Sequence, residues 1–301
     1  MERETNAGCT SGLTRRSFLY AGSIAFALGL AGCSSSGASE HDPAANQTSS
    51  GSVTYDGSSA PSVEGIDFDV QNLVVRLVPG HSVSDLSLIA PDGTLYTSAS
   101  VAPGQTTVPI RILDVDLLSG GYTHYEPGVH ELVLETGAGQ ESVSIPLEPD
   151  LEIVDVGPVA NPETPIEYGQ LVVTVANRGT GPTWVYDVAF EDAPNFAAND
   201  PVGDDPGLYR VSEISTPADI VVGPGETQEY LSGDVPLLFD GNSNTGCDQR
   251  AVSFRLLAGI ATRDRIATTV VITSGRGPVQ GELRGGVTCG NLSVEISDQD
   301  E

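Results

Sequence analysis

From residue 62 onward, apolar residues recur at every second position in short runs, and each run stops at glycine, proline or aspartate. Leu86 and Leu88 alternate ahead of Pro91-Asp92-Gly93, a turn signal, and Leu95 follows it, which predicts a hairpin. Val108, Ile110 and Ile112 repeat the alternation. Leu132 and Leu134 follow Pro127-Gly128, and Val143, Ile145 and Leu147 come next. A period of two puts one face of each strand on a core and the other in water. No stretch holds a helical period long enough to compete. Residues 62–149 therefore read as a small β-sandwich of about seven strands.

The segment Leu147-Glu148-Pro149-Asp150 is a short joint, which implies that the next β unit stacks stiffly on the first. This second β unit spans residues 150–301. It opens with a strand at 151–157 and continues with one that ends in Asn177-Arg178-Gly179-Thr180-Gly181. Trp184, Tyr186, Val188 and Phe190 alternate next, which places the sole tryptophan in the sandwich core. Further strands are expected at Val252/Phe254/Leu256, at Ile266/Thr268/Val270/Ile272 and at Leu292/Val294/Ile296. The Asn-x-Gly-Thr-Gly strand end and the turn Val222-Gly223-Pro224-Gly225-Glu226-Thr227 resemble the CARDB-type immunoglobulin-like domain of prokaryotic surface proteins. That resemblance covers residues 151 to about 273 and implies a seven-stranded sandwich without enzymatic chemistry. The fold expected is all-β, with two tandem Ig-like β-sandwich domains, the last strand lying beyond the usual family boundary.

The N-terminal segment has a different pattern. Arg15 and Arg16 are followed at once by Phe18 and Leu19, then by an apolar run ending in Leu30-Ala31-Gly32-Cys33. Paired arginines before such a run resemble a twin-arginine export signal, and Leu-Ala-Gly-Cys resembles a lipobox. The run is too rich in glycine and alanine to span a bilayer well, since a spanning helix needs roughly 20 strongly apolar residues. The resemblance implies that residues 1–32 are removed as a signal peptide and that Cys33 carries lipid at the start of the mature chain. Residues 34–61 have almost no large apolar side chains and read as a flexible tether. Localisation on the outer face of the cell membrane follows as an expectation.

Charge supports an exterior, salt-rich setting. The chain carries a formal charge of −28, and all 13 of its basic residues are arginine. Removal of residues 1–32 takes away three arginines and two glutamates, leaving one more negative unit. Such self-repulsion is tolerable where molar salt shortens the Debye length to about 3 Å. The composition resembles that of haloarchaeal proteins. Beyond the signal no basic cluster exists, which argues against nucleic acid as a partner.

Of four cysteines, Cys9 falls in the signal and Cys33 is the lipid site, leaving Cys247 and Cys289 to form a disulfide in an oxidising compartment. Asp240, Asn242, Asn244 and Asp248 alternate as oxygen ligands do at the start of a Ca²⁺ loop. Thr245 and Ala251 stand where an EF-hand has glycine and glutamate, so a plain polar turn is the competing reading. The stretch Asp192–Gly207, with six Asp and Asn residues around its prolines, is long enough to suggest Ca²⁺ or partner contact, or hydrated surface. His124 and His130 flank a Pro-Gly turn and could meet across a hairpin to hold zinc, or simply face solvent. Asn46 and Asn291 begin N-glycosylation sequons. Gly-x-Ser-x-Gly, His-Glu-x-x-His, phosphate-loop and dinucleotide motifs are all absent. The expectation is a non-enzymatic surface lipoprotein without a required cofactor. It would contact surface proteins, an S-layer or glycans, or act as a spacer. The alternatives are a solute-binding lipoprotein and an accessory module of a secreted enzyme complex.

Overall fold

The computed structural model describes residues 60–240, 250–274, 279–283, 286–290 and 292–297. All of these belong to one compact unit. The N-terminal half contains β1 (Val63–Asp69), β2 (Asn72–Leu77), β3 (Val83–Ile89), β4 (Leu95–Ser100) and β5 (Thr107–Arg111). It continues with β6 (Asp114–Val115), β7 (Tyr122–Thr123), β8 (Gly128–Thr136) and β9 (Gly139–Leu147). One sheet runs β1-β2-β5 and another β4-β3-β8-β9, while β6 and β7 form a small ribbon.

The C-terminal half begins with β10 (Leu151–Pro158), β11 (Leu171–Asn177), β12 (Thr183–Glu191), β13 (Val211–Ser212), β14 (Val221–Val222) and β15 (Thr227–Ser232). It then has β16 (Phe239–Asp240), β17 (Arg250–Ile260), β18 (Arg265–Ser274), β19 (Val279–Leu283), β20 (Gly286–Cys289) and β21 (Leu292–Ser297). Its sheets run β10-β11-β15-β13, β14-β12-β17-β18-β21 and β16-β20-β19. Among the described residues no sheet mixes strands of the two halves.

The alternation read from the sequence is what builds these layers. Leu73, Val75 and Leu77 of β2 and Val108 and Ile110 of β5 are buried, as are Leu86 and Leu88 of β3 and Leu132 and Leu134 of β8. Each such side chain contributes roughly 1.5–3 kcal/mol when fully buried, enough to fix which face of its strand is inside. The predicted hairpin forms between β3 and β4, with Leu88 opposite Thr97. Tyr96 on β4 donates to the Ile112 carbonyl at 2.7 Å, tying this sheet to the end of β5. In the other half, Leu171, Val173 and Val175 of β11 and Leu256 and Val270 of β17 and β18 are buried in the same way. The strand expected at Leu292/Val294/Ile296 is β21, which adds to the open side of β18.

One strand departs from the expected pattern. β12 is buried on both faces up to Ala189 and Phe190. Its register against β17 shifts between Val185 and Asp187, a bulge that changes which residues face the core. Val188 and Phe190 stay in the core, with the Phe190 ring 5.9 Å from that of Phe254. Tyr186 instead lies over Gly259, where an added β-carbon would meet its ring and Val202 at 2.7 Å. The segment 192–207 therefore covers a second face of β12, and Trp184 and Tyr186 belong to that layer.

Candidate functional site at the joint between the two halves

Among the described residues, a group of buried polar and aromatic side chains gathers where the two halves meet. Asn177, at the end of β11, is 1% exposed and makes four hydrogen bonds with its side chain. Its amide donates to the carbonyls of Gly181 at 2.9 Å and Val222 at 3.0 Å. Its oxygen accepts from the backbone of Asp150 at 3.2 Å and Gly179 at 2.9 Å. One side chain thus binds the linker, the turn after β11 and β14 together, and a buried amide is fully satisfied. Backbone bonds from Arg178 to Asp150 at 2.7 Å and from Thr180 to Glu148 at 2.8 Å continue the seam. A β-carbon at Gly179 would collide with backbone atoms of Glu148 and Asp150, so only glycine permits this approach.

Beside this seam runs a row of rings. Tyr96 stands 6.2 Å from His130, His130 5.8 Å from Tyr125, and Tyr125 4.4 Å from His124. His124 is 5.2 Å from Trp184, which is 6.0 Å from Tyr122. Most of these pairs are edge-on, the arrangement that ring quadrupoles favour. The row crosses from one half to the other at His124 and Trp184. Tyr125 donates to the Pro182 carbonyl at 2.7 Å, and Trp184, 0% exposed, donates to the Pro206 carbonyl at 3.3 Å.

His124 uses both nitrogens. Nδ1 lies 2.6 Å from the Tyr125 carbonyl, which can only accept, so Nδ1 carries the proton. Nε2 then accepts from the Thr183 hydroxyl at 3.0 Å. Burial pushes the pKa of His124 from 6.5 down to about 4, against the opposing pull of the Tyr125 carbonyl. Burial also lowers His130, and it drives the Tyr125 hydroxyl well above its usual range. These groups are neutral at physiological pH, and His124 and Tyr125 are committed to bonds that hold the halves together.

The acidic segment 192–207 is pinned by arginines. Asp187, 1% exposed, accepts from the Gly203 backbone at 2.7 Å and from Arg210 at 3.3 Å. Arg210 also reaches Asp200 at 3.1 Å and the Pro201 carbonyl at 3.1 Å. Arg265 reaches Asp204 at 3.2 Å, and Tyr186 donates to the Gly203 carbonyl at 2.6 Å. Burial raises the pKa of Asp187, while the Gly203 amide and Arg210 act against it. Within the segment, Asp200 and Asp204 thus pair with arginine and Asp205 accepts from the Gly207 backbone.

The histidine pair considered for zinc does not converge, because the Tyr125 ring stands against both imidazoles. Among the described residues no cluster of three or more His, Cys, Asp or Glu is placed to hold a metal. The backbone of Asp240 falls in β16, paired with Gly286. Asn242, Asn244, Cys247 and Asp248 lie outside the described residues, as do Arg15, Arg16, Phe18, Leu19, Cys33, Asn46 and Asn291. Cys289 is buried at the end of β20. Sequence patterns did not single out Asn177, Thr183 or Arg210 as organising residues. Asn177 carried a visible signal, the paired glycines that come after it.

No protein-family profile matches the chain, and no curated protein matches it. A crystal structure of a protein of unknown function from Porphyromonas gingivalis W83 aligns at 12% identity over 66% of this chain and 90% of that one, with a TM-score of 0.20.

Proposed function

We propose that this chain is a non-enzymatic, lipid-anchored protein of the cell exterior, in which two tandem β-sandwich domains form a stiff arm. Residues 1–32 direct twin-arginine export, Cys33 carries the lipid, and residues 34–61 hold the arm off the membrane. The arm contacts surface proteins, an S-layer or glycans, or keeps them at a distance. A Cys247–Cys289 disulfide and CARDB-like character of the second domain belong to the same reading.

The observation that carries the reading is the joint. A flexible two-domain chain would have a polar, loosely packed linker. Here Gly179, Tyr125, His124 and Trp184 join the halves by close backbone approach, buried hydrogen bonds and ring contacts, and Asn177 fixes the linker at Asp150. Groups with catalytic potential are engaged structurally: His124 fixes this geometry, and Asp187 pins the 192–207 segment. A single lipid chain anchors only weakly, so a second chain or a protein contact is required for stable attachment.

Anchoring is tested by fractionating cells that express the full chain and its Cys33→Ser variant. The wild type should stay with the membrane and lack residues 1–32, and the variant should move to the medium. Equal membrane retention of the two would refute the lipid anchor. Arg15→Lys with Arg16→Lys should block export, leaving precursor inside the cell.

A further inference from the structure

A groove of about 510 Å³ opens at the joint, on a part of the surface not used by the ring row. Leu117–Gly120, the tip of the β6–β7 ribbon, forms one wall. Gly207, Leu208, Tyr209, Val211, Glu213 and Ile214 form the other. Leu118 is 99% exposed and Leu208 is 62% exposed. Two aliphatic side chains on opposite walls of a groove, with polar residues around them, mark an interaction surface more than a random exposed leucine does.

Two further observations point to an absent partner. The Tyr209 hydroxyl is buried and has no hydrogen-bond partner among the described residues. Glu213 lines the same groove with φ 64°, in the left-handed region that non-glycine residues seldom occupy. It directly follows β13, the outer strand of its sheet.

Charge narrows the partner. Glu213 lines the groove, no arginine does, and Asp116 and Asp205 lie close enough to act on the Tyr209 hydroxyl. Asp116 accepts from Leu118, Ser119 and the Ser119 hydroxyl, and Asp205 accepts from Gly207. Those donors are neutral, whereas the Arg263 guanidinium lies close enough to act on Asp205. A second copy of this chain would set another acidic surface directly against Glu213. A glycan would find a single ring, Tyr209, among aliphatic side chains.

We propose that this groove binds an extended polypeptide segment of a partner protein in which an aliphatic side chain stands beside an arginine or lysine. The aliphatic side chain enters between Leu118 and Leu208. The cation lies against Glu213 and Asp116. This rests on the reading of the protein as a binding module but not on its lipid anchor, so failure here leaves the fractionation result untouched.

The test uses the purified full chain and a fluorescent octapeptide of alternating leucine and arginine, with a leucine–glutamate octapeptide at equal salt as control. Anisotropy should show saturable binding of the first at one site and none of the second. Leu118→Ser with Leu208→Ser should weaken binding about tenfold or more, matching the loss of one buried aliphatic contact. Glu213→Gln should weaken it several-fold without changing the melting temperature of the chain. Binding that survives the double leucine change would place the peptide elsewhere on the acidic surface and overturn the proposal. Equal binding of the glutamate peptide would do the same. A wild-type dimer in sedimentation that becomes monomeric in the double variant would show a second copy in the groove, also against it.

Discussion

The Tyr125 hydroxyl occupies the place a β-carbon on Gly181 would take, and from there it donates to the Pro182 carbonyl at 2.7 Å. Tyr125 belongs to the N-terminal half, whereas Gly181 lies in the turn between β11 and β12 of the other half. The missing side chain and the hydrogen bond are thus one arrangement. Gly181→Ala must push Tyr125 or the Leu147 backbone aside, which costs about 1–3 kcal/mol as overpacking does. Gly179→Ala should cost at least as much, because it meets only backbone. Gly157→Ala, with open space around it, should change stability by less than about 0.5 kcal/mol. Urea unfolding of the three variants checks this order.

Tyr125→Phe keeps the ring in the row but leaves the Pro182 carbonyl without its donor. Loss of a buried acceptor's partner costs about 1–3 kcal/mol. The midpoint in urea should fall with an unchanged m-value, since the surface exposed on unfolding stays the same.

Acid should loosen the joint through His124. Its folded pKa, about 4, lies below the ordinary 6.5, so between those values the unfolded chain binds a proton that the folded chain refuses. Stability is therefore complete above about pH 6.5 and declines as pH falls toward 4, by up to about 3 kcal/mol. His130 is lowered too and adds with the same sign. Asp187 is raised, so its contribution has the opposite sign, growing less favourable as pH rises through its titration. Urea midpoints measured from pH 7 to pH 4 should slope less steeply in His124→Gln than in the wild type. Equal slopes would show that His124 is not buried in its neutral form.

Arg210→Met leaves Asp187 as a buried carboxylate with only its backbone donors, Gly203 and Val188. Breaking such a pair from one side costs about 3–5 kcal/mol. Asp187→Asn should cost less, since an amide can still accept from Gly203. In Arg210→Met the 192–207 segment also loses its contacts at Asp200 and Pro201, so proteolysis should begin there.

The strands were legible because their signal is local. β3, β5, β8, β9 and β21 each alternate within a few residues of sequence, and each lies where the pattern placed it. The burial of Trp184 follows from its alternation with Tyr186, Val188 and Phe190, and it is 0% exposed in the hydrophobic core. The bulge between Val185 and Asp187 was not legible, because it depends on a covering segment and on Gly259, far along the chain. The same holds for the joint. Asn177-Arg178-Gly179-Thr180-Gly181 was visible as a strand end, whereas its contacts with Glu148, Asp150 and Tyr125 are long-range. His124 and His130 looked like a pair because they are close in sequence, and the intervening Tyr125 ring became apparent only in three dimensions.

Scanning calorimetry of the full chain at pH 7 tests whether the joint makes the two halves one cooperative unit. One transition is expected, with calorimetric and van't Hoff enthalpies that agree, and it should separate into two in the Gly179→Ala, Tyr125→Phe double variant. Two independent transitions in the wild type would contradict that cooperativity.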